Sequence, residues 1–272
     1  YVVLNADDSF APRLAAASRG QVVFFSLHED NVLVRRHLSA GGSAVFVRNG
    51  IVYYGCGKEL LRLIRVKSIK AAMGGRALHN LENALAAAAA AVSCGLSPSA
   101  IRRGLRSFTD NPGRLMIYQL RDITVIVDYG HNGPAFRRVA EFARTLRPRC
   151  LTAVIGVPGD RRDDQIIQAG EVAGAKFDEI YIREDKDLRG RAAGETAKLL
   201  YTGVHRAGLH PEKVHIIPDV IDALKEALQE AKPADVIVVF YEELQPVLDY
   251  LRSVERQDKK YAVKAALGRS NG

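Results

Sequence analysis

The chain has 272 residues, 47% hydrophobic and 26% charged, an ordinary globular composition that can bury one large core or two smaller ones. No apolar run approaches the roughly eighteen residues of a membrane span, and the first residues lack the basic, apolar and small-residue succession of a signal peptide. A net charge of +8 points to acidic partners, whether nucleotide phosphates, nucleic acid or a polyanionic substrate.

From Tyr1 the chain enters a strand at once, as the middle of a domain would. Residues 2–4 form that strand and end in the acidic loop Asn5-Ala6-Asp7-Asp8; a helical pattern follows around residues 14–17, and residues 21–27 read as a second strand. Strand, loop, helix, strand is a βαβ unit, with carboxylates at the edge where α/β ligands bind. Asp7 and Asp8 serve equally well as helix N-caps. Over residues 44–54 two apolar runs flank Arg48-Asn49-Gly50, a strong hairpin signal. Gly55-Cys56-Gly57-Lys58 is not a phosphate loop, because Val52 stands where its first glycine belongs and Glu59 replaces the magnesium-binding hydroxyl.

Gly74-Gly75 leads into His79-Asn80-Leu81-Glu82-Asn83-Ala84 and an alanine-rich helix running to about Cys94. Asn80 and Asn83 are three residues apart and share a face; capping is the plain role for Asn80, whereas Asn83 lies too far inside and is a ligand candidate. Ser97-Pro98 opens another helix, which ends near Phe108, and the polar break 109–113 divides the chain. Cys56, Cys94 and Cys150 are far apart and read as free or buried thiols of a reducing compartment, and no zinc-type spacing occurs.

Beyond the break, strands at residues 115–120 and 123–127 are joined by Arg121-Asp122, and Asp128-Tyr129-Gly130-His131-Asn132-Gly133-Pro134 precedes a helix at 136–146. Strands at 151–155, 179–182, 214–217 and 236–240 then alternate with helices at 165–175, 192–207, 220–231 and 244–254, the pattern of a mainly parallel sheet covered on both faces. Three polar loops follow these strands: Asp128–His131, Gly156–Arg162 and Arg183–Arg191. A parallel sheet brings all three to one edge. Singly, Asp160 reads as an N-cap and the Arg/Asp-rich loop as a solvated turn.

These motifs resemble the cyanophycin synthetase family, in the carboxyl-terminal part that is similar to the Mur ligases of cell-wall synthesis. Asn5-Ala6-Asp7-Asp8, the His79-Asn80-x-x-Asn83 helix start, Asn111-Pro112-Gly113-Arg114 and Asp128-Tyr129-Gly130-His131-Asn132 are the broadly shared marks; Gly159-Asp160-Arg161-Arg162 and Glu184–Arg191 are the narrower ones. The resemblance implies that residues 1–110 are the end of a Mur-type central α/β ATPase domain. Residues 111–255 would be a Rossmann-like C-terminal domain with helices on both faces, and 256–272 a basic tail. It implies an ATP-dependent amide ligase that adds arginine to aspartate side chains of a poly-aspartate primer through an acyl phosphate. ATP and Mg2+ would serve it, with the phosphate loop and magnesium ligands upstream of Tyr1, so that the chain is an inactive fragment by itself. The full protein would be cytoplasmic and homo-oligomeric, binding neither membrane nor nucleic acid.

By the same resemblance Asn83 reads adenine with support from Asn80. Arg114 and Asp128 reach phosphates and ribose, Tyr129 and His131 line that crevice, and Arg114 and His131 are the catalytic candidates. Asp160, Arg161, Arg162, Asp185, Asp187 and Arg189 lie where the incoming amino acid is held, Asp185 and Asp187 on its guanidinium and Arg161 or Arg189 on its carboxylate. In the family's usual wording proline directly follows His-Asn, whereas Gly133 intervenes here, and the late Gly-Lys-Gly-His-type segment is replaced by Tyr241-Glu242-Glu243. The competing expectations are a non-catalytic scaffold half, another Mur-type peptide ligase, or a basic nucleic-acid-binding module. The absence of tryptophan and the placing of aromatics inside strand patterns weigh against the last.

Overall fold

The computed structural model describes the backbone of residues 1–109 and 111–269 and the side chains of residues 1–109 and 111–256. The chain divides into two compact units, Tyr1–Asp110 and Asn111–Gly272. Asp110, within the polar break, lies outside the described residues, as do the side chains of the basic tail from residue 257 onward.

In the first unit β1 (Val2–Asn5), α1 (Ala11–Ala17), β2 (Val22–Ser26), α2 (Val32–Ser39) and β3 (Ser43–Arg48) precede β4 (Ile51–Cys56) and β5 (Glu59–Arg65). Two 3-10 turns, Val66–Ser68 and Lys70–Gly75, lead to α3 (Leu78–Ser93) and α4 (Pro98–Ser107). The sheet runs β1-β2-β3-β4-β5, its first three strands parallel and its last two antiparallel. Asn49 and Gly50 make the expected hairpin turn with φ of 49° and 70°, a conformation that Asn-Gly adopts at little cost. One face of the sheet packs Phe24, Val34, Ala44 and Phe46 together. The other packs Val45, Val52 and Leu63 with Leu85, Ala88 and Ala89 of α3, where alanine lets helix and sheet approach closely.

Two elements go beyond the sequence reading. α2 is only eight residues long, and its start is set by Asn31, whose side chain accepts the N–H groups of Leu33 and Val34. β5 lacks an alternating pattern because Leu60 and Leu61 are both exposed and the β4–β5 register shifts at Val52/Tyr53. α1 has Phe10 at its N-cap position with no side-chain cap; Asp8 accepts the Phe10 N–H, while Asp7 accepts from Ser26 Oγ, the Leu27 N–H and the Asn31 amide.

The second unit contains β6 (Met116–Leu120), β7 (Ile123–Asp128), α5 (Gly133–Arg144), β8 (Leu151–Ile155), α6 (Asp163–Lys176) and β9 (Glu179–Ile182). α7 (Glu195–Arg206), β10 (Val214–Ile216), α8 (Val220–Glu230), β11 (Val236–Phe240) and α9 (Leu244–Arg269) complete it. The strand order is β10-β9-β8-β11-β7-β6, with only β6 antiparallel to its neighbour. It is a Rossmann-like α/β layer structure: Val125, Val127, Val154, Tyr181, Ile237 and Val239 pack under α8 and α9. The alternate residues Ile126, Ala153, Ile155, Val238 and Phe240 are buried on the opposite face, where Phe136 of α5 meets Phe240 at 4.6 Å between ring centres. α9 runs on to Arg269 rather than stopping near Val254, so the tail continues a helix.

Candidate functional site

The parallel strands β7, β8, β9, β10 and β11 end together, so the loops after them share one edge of the second unit. Four of those loops carry the polar and charged candidates: Asp128–Asn132, Gly156–Arg162, Arg183–Gly194 and, in the middle of the edge because β11 lies between β8 and β7, Tyr241–Glu243.

On the β7 side, Asp128 is 5% exposed. Its two oxygens accept the N–H groups of Leu115 at 2.9 Å and Gly130 at 2.8 Å. The carboxylate thus fixes both segments that flank Arg114 and Tyr129, including Leu115 at φ 48°. Arg114 is exposed, with its guanidinium carbon 4.8 Å from the centre of the Tyr129 ring. Tyr129 in turn meets His131 at 5.2 Å and Tyr241 at 5.6 Å between ring centres. The Tyr129 carbonyl, which can only accept, lies 3.1 Å from Nδ1 of His131. Nδ1 therefore donates in this contact, and in the neutral ring Nε2 is the acceptor. Asn132 caps α5 through its side chain, which accepts the Ala135 N–H, so the intervening Gly133 is accommodated as the first residue of the helix.

Tyr241 was not among the expected site residues. Its buried hydroxyl donates to the Gly113 carbonyl at 3.0 Å. A Cβ on Gly113, which has φ 80°, would stand 2.0 Å from that hydroxyl, so glycine is required for both conformation and space. Burial pushes the Tyr241 phenol up against a smaller opposing pull from Arg114, which keeps the hydroxyl a donor.

On the β8 and β9 side the charged loops are tied to one another. Asp160 is no N-cap: Arg162 occupies that position of α6, without a side-chain cap, and Asp160 instead pairs with Arg189 at 2.7 Å. The Arg189 hydrogen bond holds the exposed Asp160 carboxyl below its ordinary range. Arg161 lies 3.9 Å from the same carboxylate, and Arg162 pairs with Asp164 at 2.7 Å. Asp187 is exposed and accepts the Arg189 N–H at 3.0 Å. Asp185 is different: it is buried and already pairs with the buried guanidinium of Arg183. Asp185 and Asp187 thus do not present themselves together. Arg191 clamps the two loops, donating to the carbonyls of Gly159 and Arg161 and to Asp163 and Glu195. Glu184 accepts the N–H groups of Gly194 and Ala197 at the start of α7. Lys186 bonds Glu242 through its N–H and Glu243 through Nζ.

In the first unit Asn80 is not a cap, since Ala77 holds that position on α3; its amide donates to the Ala71 carbonyl at 2.9 Å and pins the turn before the helix. Asn83 is exposed one turn further along α3. Among the described residues no group of His, Cys, Asp and Glu is arranged to hold a metal ion, and no helix is long and apolar enough to cross a membrane.

Residues 113–240 match the family model described as the Mur ligase, glutamate ligase domain. The chain is 35% identical over 258 residues to a cyanophycin synthetase from Synechocystis sp., covering 93% of this chain and 29% of that protein. It is 30% identical over 250 residues to the UDP-N-acetylmuramoyl-L-alanyl-D-glutamate--2,6-diaminopimelate ligase of Geobacter metallireducens, covering 87% of this chain and 46% of that one. Among solved structures, a bifunctional folylpolyglutamate synthase/dihydrofolate synthase with Mn, AMPPNP and L-glutamate bound aligns with a TM-score of 0.56 at 22% identity, over 86% of this chain and 54% of the other. At that identity the likeness speaks for the fold alone.

Proposed function

Since residues 113–240 belong to the Mur ligase family and the chain is homologous to cyanophycin synthetases along most of its length, we propose that it is the carboxyl-terminal part of an ATP-dependent ligase that adds arginine to aspartate side chains of a poly-aspartate backbone. Its family is that of ATP-dependent ligases, and it spans 29% of its Synechocystis relative. In this reading residues 1–110 are the end of the ATP-binding central domain and residues 111–255 the Rossmann-like C-terminal domain. ATP, with a divalent metal such as Mg2+, supplies the γ-phosphoryl group that activates the substrate carboxylate; the amine of arginine then displaces phosphate.

The observation that carries the proposal is the exposed Arg114 guanidinium over the Tyr129 ring, with the Asp128 carboxylate accepting the backbone N–H groups next to both residues. A guanidinium resting over an aromatic ring still has N–H donors to offer phosphate oxygens. In this reading His131, whose ring meets the same Tyr129, takes a proton from the attacking amine through Nε2. Asn83, with Asn80 steadying the turn behind it, is the adenine reader, and Tyr129 lines the nucleotide side. Asp128 acts on ribose and phosphate only indirectly, through the backbone it holds.

The amino-acid subsite in this proposal is the exposed Asp160–Arg189 pair with Arg161 and Asp187 beside it. An arginine substrate offers the same two groups in reverse: its guanidinium exchanges onto Asp160 and Asp187, and its carboxylate onto Arg189 or Arg161. Arg162, engaged by Asp164, borders the subsite. Phosphate release by the full-length parent tests the proposal. It should require arginine, primer, ATP and magnesium together; release indifferent to arginine defeats it.

A further inference from the structure

We infer that Arg183 is a positioning residue that sets the amino-acid loop in register with the Arg114 side of the site. The inference rests on the reading just proposed.

Arg183 is the first residue after β9 and is 1% exposed. A buried guanidinium needs hydrogen-bond partners around its fork, and these partners lie on two different segments. Nε donates to the carbonyl of Phe240, the last residue of β11, at 3.1 Å, and Nη1 donates to the buried Asp185. The space for the fork exists because glycine stands at 156, directly after β8: a Cβ there would lie 2.6 Å from the guanidinium carbon. One side chain therefore ties the loop that carries Asp185, Asp187 and Arg189 to the end of β11.

From that point the connection continues through the backbone. Tyr241 follows Phe240, its hydroxyl holds Gly113, and its ring lies against Tyr129, on which Arg114 rests. The Arg183 fork is thus the fixed point between the groups assigned to the amino acid and the group assigned to phosphate. Asp185 is its internal partner rather than a hand extended to substrate. Lys186, bonded to Glu242 and Glu243, repeats the same loop-to-β11 connection at the exposed rim.

The test uses the full-length parent with Arg183→Lys and with the double variant Arg183→Met/Asp185→Leu. A buried ion pair replaced by apolar side chains of similar size retains stability in many proteins, so the double variant separates folding from positioning. The expected result is a rise of at least about tenfold in KM for arginine in the double variant, with KM for ATP within about threefold of wild type and the thermal midpoint preserved. Arg183→Lys, which keeps a charge for Asp185 but has no second fork arm for Phe240, should lie between. A double variant that regains both the wild-type midpoint and the wild-type KM for arginine overturns the inference, since packing would then be all that the pair contributes. So does an arginine-dependent parent whose KM is unmoved in either variant. Phosphate release from the unsubstituted parent that ignores arginine is a different outcome, because it defeats the proposed function itself.

Discussion

The guanidinium carbon of Arg114 stands 4.8 Å from the centre of the Tyr129 ring. The ring itself meets His131 and Tyr241, so the exposed cation rests on a cluster of aromatic rings.

Arg114 and Tyr129 should therefore differ in kind when removed. In the full-length parent, Arg114→Ala is expected to lower kcat by about 10²- to 10³-fold, the scale of losing one group that stabilises developing charge. Tyr129→Leu keeps an apolar side chain against Tyr241 and removes the cation–π contact, worth about 0.5–1 kcal/mol, so it should cost roughly two- to fivefold. Steady-state kinetics with both variants decides this; equal losses would mean that the ring itself touches a reacting group.

Tyr181 is buried between sheet and helices, and its hydroxyl is the unpartnered buried side-chain polar atom among the described residues. Leaving a buried hydroxyl unsatisfied costs about 1–3 kcal/mol, so Tyr181→Phe should keep or raise the denaturant midpoint. Burial raises the Tyr181 phenol well above its ordinary value. A group whose folded pKa is raised contributes stability below its unfolded pKa and loses it as pH rises. The chain should therefore lose stability above about pH 10, and the phenylalanine variant should show a shallower decline.

The acid limb has a different source. Burial alone would raise the Asp178 carboxyl, but the paired Arg144 guanidinium and the Leu151 N–H outweigh it and hold the carboxyl below its ordinary value. A depressed folded pKa contributes stability that is present above the unfolded value and lost as pH falls through the folded one. Urea melts between pH 5 and pH 2 should show Asp178→Asn as the flatter profile, with its largest deficit at the upper end.

The contact between α6 and α7 is made by backbones. A Cβ on Gly203 would lie 2.0 Å from the Ile167 carbonyl, and one on Gly170 would lie 2.3 Å from that of Leu200. Gly203→Ala is expected to destabilise the second unit by about 3 kcal/mol, because neither helix can move without reopening the core. Gly104→Ala, at an exposed helical position with open space around it, should instead gain about 0.5–1 kcal/mol. Thermal melts of the two variants should move in opposite directions.

Local signals in the chain predicted most of these elements, because each is written in neighbouring residues. Asn49-Gly50 is a turn by its own φ preferences, Ser97-Pro98 starts a helix by capping, and the β-branched runs at residues 123–127 and 236–240 read as buried strands. The alternation of strand and helix then sufficed for a parallel sheet with its polar loops on one edge. The resemblance to the Mur-type ligases brought Arg114, Asp128, Tyr129 and His131 forward as candidates for one crevice. Elements lacking a periodic pattern, α2 and β5, escaped that reading since their stability comes from what they pack against.

What the sequence determined by itself, then, was the kind of fold and the residues to watch. What each of those residues is bonded to was decided by tertiary structure. Strand order sets β11 between β8 and β7, a pairing between segments more than eighty residues apart that no local preference encodes. It brings Tyr241 to Gly113 and Phe240 to Arg183. The same packing turns Asp128 into a backbone anchor and Asp185 into the partner of a buried guanidinium. A carboxylate's role follows from the donors that reach it, and those donors come from strands the chain must first fold to bring together.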